Sequence, residues 1–207
     1  CDGLDNDCDG AVDSVRVADG IFAWEADVHE SNNVCGDASP LYNSAGQPQL
    51  IEAAGWLSPS VSDESDLMSY PNLYPGGDED WYYARAVESS HSCVPWTSQC
   101  SFVVTAQLEL LDRRFVEWAD QNRDDWGLCV YVGECSTTSE PANRFCAQGT
   151  NWSEEASSYV LSVVWAGSCG SDDSRDIKLQ VHSPTGAACG HYQLYVQFEY
   201  DETVPCP

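Results

Sequence analysis

Ser101-Phe102-Val103-Val104-Thr105-Ala106-Gln107-Leu108-Glu109-Leu110-Leu111 alternates as a half-buried strand does, with apolar side chains recurring at every second position. Five more stretches continue the theme. They are the turn-then-strand GGDEDWYYARA (76–86), GLCVYV (127–132), YVLSVVWA (159–166), IKLQV (177–181) and HYQLYVQFEY (191–200). All are rich in β-branched and aromatic residues, and acidic or Gly/Ser-rich turns separate them. Helical spacing occurs only at LLDRRFVEWADQ (110–121), which reads as a short helix over the edge of the sheets. Strands that follow one another without intervening amphipathic helices predict an all-β fold, an antiparallel β-sandwich of jelly-roll type. Upstream, Val15 to Val17 and Gly20 to Val28 read as extended. Residues 30–75 read as loop-rich, punctuated by Pro40, Pro48, Pro59, Pro71 and Pro75. The expected organisation is a short motif at 1–17, extended and loop-rich segments at 18–75 packing on the sandwich, and the sandwich itself at 76–207.

The chain has 207 residues, of which 43% are hydrophobic and 11% aromatic, so it can bury a core despite its charge. That charge is −26, from 8 Lys plus Arg against 34 Asp plus Glu. Such a surface repels phosphate backbones and anionic bilayers, which excludes nucleic acid as a partner. Membrane insertion is excluded because no apolar run is long enough to span a bilayer. Eleven cysteines are present and no two are spaced as C-x-x-C, which argues against a zinc ribbon. Scattered cysteines in this composition predict disulfide-stapled loops and an extracellular or cell-surface location. The odd count leaves at least one cysteine free, lipidated or bonded to another chain. Cys1 and Cys206, near the two ends, are the candidates for a link between chains.

The amino-terminal stretch CDGLDNDCDGAVD (1–13) carries the clearest chemistry. Asp5, Asp7 and Asp9 alternate, Gly10 follows, and Asp13 comes next: D-x-D-x-D-G-x-x-D. This is the front of a calcium loop, in which alternate carboxylates close around a hard cation. Asp5, Asp7 and Asp9 take positions one, three and five, Ala11 offers its carbonyl at seven, and Asp13 acts at nine. Position twelve falls on Arg16, so the closing ligand must come from Asp2, from Asp19, from elsewhere in the fold, or from another chain. An all-oxygen set favours calcium over copper. Cys1 and Cys8 bracket the loop and are placed to close it as a disulfide. These residues resemble the Asp/Cys metal-binding repeat CDGxDNDCDGxVD of secreted bacterial proteins, and thrombospondin calcium repeats. The resemblance implies a bound divalent ion and an extracellular setting.

A second resemblance covers residues 76–200. GGDEDWYYARA, DDWGLCVYVGEC (124–135) and GHYQLYVQF (190–198) are similar to the bacterial pre-peptidase C-terminal domain. That likeness implies a secreted, non-catalytic jelly roll. The cysteines and the 110–121 insertion depart from its pattern. Asp78 and Asp80 are candidates for a second calcium, set against an ordinary acidic turn.

No catalytic signature is present: no G-x-S-x-G, no H-E-x-x-H and no phosphate loop. His182 and His191 are placed to meet if their strands are adjacent, which would allow a copper or zinc pair. Two functions therefore fit the sequence. One is a non-catalytic calcium-binding subunit that self-associates into a homopolymer, filament or surface assembly through metal, disulfide or strand addition. The other is a carbohydrate- or protein-binding accessory module of a secreted hydrolase, in which some of the eight tryptophans contact a glycan.

Overall fold

The structure is a computed structural model that describes residues 14–17, 20–23, 32–42, 47, 49–51, 56–59, 70–73, 78–88, 100–110, 125–135, 143–147, 152–153, 158–167, 171–185 and 190–201. The strands are β1 (Ser14–Val17), β2 (Gly20–Ala23), β3 (Ser39–Pro40), β4 (Gln49–Ile51), β5 (Asn72–Leu73), β6 (Glu79–Val87) and β7 (Cys100–Leu110). They continue with β8 (Gly127–Val132), β9 (Arg144–Cys146), β10 (Trp152–Ser153), β11 (Ser158–Gly167), β12 (Arg175–His182) and β13 (Gly190–Asp201). One 3₁₀ turn, Cys35–Asp37, precedes β3, and no α-helix occurs among the described residues. The candidate helix at 110–121 lies outside them except for Leu110, which ends β7.

Two sheets face each other. One has five strands in the order β10-β11-β7-β13-β5; the other runs β3-β6-β12-β8-β9, with β4 also on β6. The long strands pair antiparallel, as the absence of helical crossovers predicts. From β6 to β7 to β8, and again from β11 to β12 to β13, the chain passes to the opposite sheet at each step. This alternation between layers gives the sandwich its jelly-roll character. β1 and β2 form a separate antiparallel pair.

Period-two alternation builds the core. Phe102, Val104, Ala106, Leu108 and Leu110 of β7 turn inward and are essentially inaccessible to water. Tyr159, Leu161 and Val163 of β11 and Leu194, Val196 and Phe198 of β13 flank them, opposite Tyr82, Ala84, Leu128, Val130, Ile177, Leu179 and Val181 of the other sheet. Phe102, Trp165 and Phe198 stack with centroids 5.7 Å apart at each contact, joining the three central strands of one layer.

Within the loop-rich stretch 30–75, short described segments pair with the sheets. β3 and β4 add to β6 in parallel, β5 adds to β13, and Leu57 exchanges two backbone hydrogen bonds with Val196. Leu41, Leu50, Leu57 and Leu73 enter the same core, so these short segments complete both sheet edges.

A hydrogen-bonded chain crosses the two layers. Tyr192 of β13 donates its hydroxyl to Asp80 Oδ2 on β6 at 2.5 Å, so the Tyr82 hydroxyl, 2.7 Å away, donates to Tyr192. Burial, with the Asp80 charge beside it, pushes the Tyr192 phenol well above its ordinary range and keeps it a donor. Removing that donor with Tyr192→Phe is expected to cost about 1.5–3 kcal/mol, the range for hydrogen bonds to charged groups, with Tyr82→Phe costing less. Urea unfolding followed by tryptophan fluorescence measures both; equal, negligible losses would show that the bridge contributes nothing.

Candidate functional site

Asp2, Asp5, Asp7, Asp9, Ala11 and Asp13 all lie outside the described residues. Of the two acids considered for a second calcium, Asp78 accepts a hydrogen bond from the Glu79 backbone N–H, and Asp80 belongs to the buried bridge to Tyr192. No cluster of three metal-ligating side chains occurs among the described residues. The cross-strand histidine pair is ruled out by topology. His182 is on β12 of the six-stranded sheet and His191 on β13 of the five-stranded one. His191 is buried, with its Nδ1 3.1 Å from the Tyr70 carbonyl.

What the fold does assemble is two contrasting outer faces. On the six-stranded sheet the residues between the core positions stand in cross-strand rows. Glu79, His182 and Gly127 form one; Trp81, Gln180, Cys129 and Cys146 the next; Tyr83, Lys178, Tyr131 and Arg144 a third; Arg85 and Asp176 the last. The second row is stapled by Cys129–Cys146, directly opposed with Cα atoms 4.0 Å apart. A second disulfide, Cys35–Cys135, spans 100 residues and ties the 3₁₀ turn over the same face. Trp81, Cys129 and Tyr131 are buried beneath this cover as a small second core.

Glu79 is the polar hub. Its Oε2 accepts from Gln180 Nε2 at 2.9 Å and from Trp81 Nε1 at 3.3 Å, and Tyr131 donates to Gln180 Oε1 at 3.0 Å. The third row alternates aromatic and cation. Lys178 Nζ sits 4.5 Å from the Tyr83 ring centroid, and the Arg144 guanidinium lies 5.7 Å over Tyr131. Both distances are in the range where the ring quadrupole attracts a cation. Lys178 is the one lysine of the chain. Arg85 reaches Asp176 at 3.2 Å, both half exposed, so that pair contributes little to stability.

His182 packs its ring on Gly127, where an added Cβ would stand 2.4 Å from His182 Cε1. Its Nδ1 is buried and finds no hydrogen-bond partner among the described residues. Burial lowers its pKa below 6.5, an effect only partly opposed by Glu79.

The outer face of the five-stranded sheet has different chemistry. Its middle rows are Val160, Gln107 and Tyr195; then Ser162, Thr105 and Gln197; then Val164, Val103 and Glu199. Thr105 and Ser162 hydroxyls meet at 3.0 Å, Gln197 donates to Glu199 at 2.8 Å, and Tyr195 donates to Gln193 at 2.5 Å. At the edge Trp56, 46% exposed, stands on the Tyr195 ring in a T-shaped contact of 6.2 Å.

Neither face was legible as a site in the sequence. Each row draws on three or four strands far apart along the chain, and only the register places them together. The alternation within each strand did give the outward parity.

No protein-family profile matches the chain. No curated protein matches its sequence. Among solved structures, a chain of the cowpea mosaic virus empty virus-like particle aligns with a TM-score of 0.26 and 12% identity, over 54% of this chain and 59% of that one. Agreement at that level carries no argument about fold or function.

A half-buried histidine whose Nδ1 is sealed from water makes stability depend on pH. Below pH 6.5 the unfolded chain takes up a proton that the folded His182 refuses, so stability present near pH 7 should fall as the pH drops toward 5. Comparing urea midpoints of wild type and His182→Gln across that range isolates the effect. A parallel pH dependence in the two proteins would show that His182 is not its source.

Proposed function

We propose that the protein is a non-catalytic, secreted, calcium-binding structural subunit of a cell-surface assembly or filament. Among the described residues, the geometry that supports this best is the Tyr83–Lys178–Tyr131–Arg144 row. In a chain of net charge −26, copies repel one another unless cations or a basic patch intervene. Here two cations are held outward on tyrosine rings rather than folded onto acids: neither has a carboxylate within ion-pair distance among the described residues. An acidic surface of a second copy is the complement of such a row.

The two disulfides support an oxidising compartment. They also stiffen the strands that carry the row, which lowers the entropy lost when it is covered. In this reading calcium binds to Asp5, Asp7, Asp9, Asp13, the Ala11 carbonyl and Asp2, neutralising the most crowded carboxylates of the chain. Cysteines left over from pairing, Cys1 and Cys206 first among them, link protomers covalently.

Light scattering tests the assembly. Particle size is expected to fall with EGTA, with reductant, and in a Lys178→Glu/Arg144→Glu variant. A monomer of unchanged size under every condition would overturn the proposal. Calorimetry tests the calcium loop separately. Calcium should release or absorb heat and raise the melting temperature of wild type, and Asp7→Asn should weaken both effects. No heat and no shift would remove the metal from the account.

A further inference from the structure

The second outer face has a different chemistry and leads to a different ligand. In the three middle rows of the outer face of the five-stranded sheet, Glu199 is the one charged residue; Glu109, almost inaccessible, and Asp201 stand in the flanking rows. The rest of the middle rows is amide, hydroxyl, valine and tyrosine. A patch of three rows with a single charge stands out in a protein with 34 acids. It means that the face is not built to meet a cation or to steer a charged partner.

The groups it offers are bifunctional. Gln107 and Gln197 each carry donors and an acceptor, and the Thr105 and Ser162 hydroxyls do both. Cross-strand register sets these four in two adjacent rows, with Gln107 beside Tyr195 and Thr105 between Ser162 and Gln197. Neighbouring positions are about 4.8 Å apart across strands and about 7 Å along them, the dimensions of a sugar ring and its hydroxyls. A purely apolar ligand would strip water from the amides without replacing their hydrogen bonds, which is costly. A polyhydroxylated, uncharged ligand replaces them.

Trp56 supplies the remaining element. It is held by the residue after it, since Leu57 exchanges both backbone hydrogen bonds with Val196 at the edge of β13. Its ring is propped on Tyr195, with planes at 79°. The indole therefore stands as a wall beside a floor that includes the Tyr195 ring, half exposed yet fixed at both ends. A rigid aromatic beside a bifunctional hydrogen-bonding floor suits a pyranose, which has an apolar C–H face and a rim of hydroxyls.

We propose that the outer face of the five-stranded sheet, with Trp56 as its wall, binds a neutral polysaccharide. Trp56 and Tyr195 take the apolar faces of the sugar rings; Gln107, Gln197, Thr105 and Ser162 exchange hydrogen bonds with their hydroxyls. The site goes beyond the assembly reading and shares no residue with the cation–tyrosine row. A surface subunit with both would fasten to its own copies by one sheet and to a glycan matrix by the other.

Native gel electrophoresis through gels containing soluble mixed-linkage β-glucan, mannan, amylose or polygalacturonate tests it, with a polysaccharide-free gel as reference for self-association. Retardation is expected in at least one neutral gel and not in polygalacturonate. Trp56→Ala should weaken it about tenfold or more, the loss typical of a central tryptophan in a binding site. Gln107→Ala/Gln197→Ala should weaken it with Trp56 intact, so a loss cannot be laid to one residue's effect on folding. Phe145→Ala, 38% exposed on the opposite sheet, should bind as wild type does. Absence of retardation in every neutral gel overturns the proposal, as does retardation that both face variants retain or that polygalacturonate matches. Lys178→Glu/Arg144→Glu is expected to keep the retardation even where it abolishes assembly, so each reading stands or falls alone.

Discussion

The constraint on which everything else depends is the packing of two alternating rows of apolar side chains against each other. β7 illustrates it. With Phe102, Val104, Ala106, Leu108 and Leu110 inside, Val103, Thr105, Gln107 and Glu109 have no choice but to face out. A slip of one residue would exchange the two sets and place four polar or β-branched residues in a layer that admits no water. Because β7 is flanked on both sides by long antiparallel partners, its register is fixed twice, by β11 and by β13. β12 has the same role in the opposite layer, between β6 and β8. The chemistry of both outer faces is thus a consequence of core burial, and needs no local signal of its own.

That consequence is uneven in a useful way. One outer face collects cations and tyrosines with two disulfides; the other collects amides, hydroxyls and an exposed tryptophan. On the first face, an ammonium over a phenol ring keeps its charge near the surface and loses little water, so the attraction is about 0.5–1 kcal/mol per pair. The larger effect is on placement. Lys178 is confined between Tyr83 and Tyr131 by register, and Arg144 is confined at the end of the row by the Cys129–Cys146 staple two residues away. Long flexible side chains that would ordinarily sample many rotamers are held on a line, which lowers the entropic cost of meeting an anion.

Much of the architecture is legible in the sequence, because half-buried strands of eight to twelve residues advertise their period. β6, β7, β11, β12 and β13 fall on stretches whose alternation stands out, and β8, six residues long, on a short apolar run. β3 and β5 did not, since two-residue strands have no period, and Pro40 and Asn72 argue locally for loop. Their pairing is a property of the edge they meet. The histidine pair failed for a related reason. IKLQV and HYQLYVQFEY are neighbours in sequence, and neighbours in a hairpin-rich fold usually pair, but a jelly roll sends successive strands to opposite layers. Cysteine pairing was equally closed to inspection: Cys129 could as easily have met Cys135, and only the β8–β9 register sets it against Cys146.

The Asp80–Tyr192–Tyr82 chain shows how a polar group can serve an apolar core. Hydrophobic contact between two sheets is strong but nondirectional, so layers packed on leucine, valine and phenylalanine alone can shift against each other at small cost. Tyr192 rises from one sheet and Asp80 and Tyr82 from the other, and their hydroxyl and carboxylate atoms meet within the distances that hydrogen bonds demand. Trp126 closes over the Tyr192 ring at 6.0 Å and helps to exclude water from the junction. In such surroundings a misplaced partner leaves a charge or a hydroxyl stranded, so the penalty for sliding becomes steep. The bridge therefore contributes less to total stability than to uniqueness: it selects one offset between the layers. With that offset fixed, the core admits a single arrangement, and the two outer faces are held in one fixed relation on opposite sides of it.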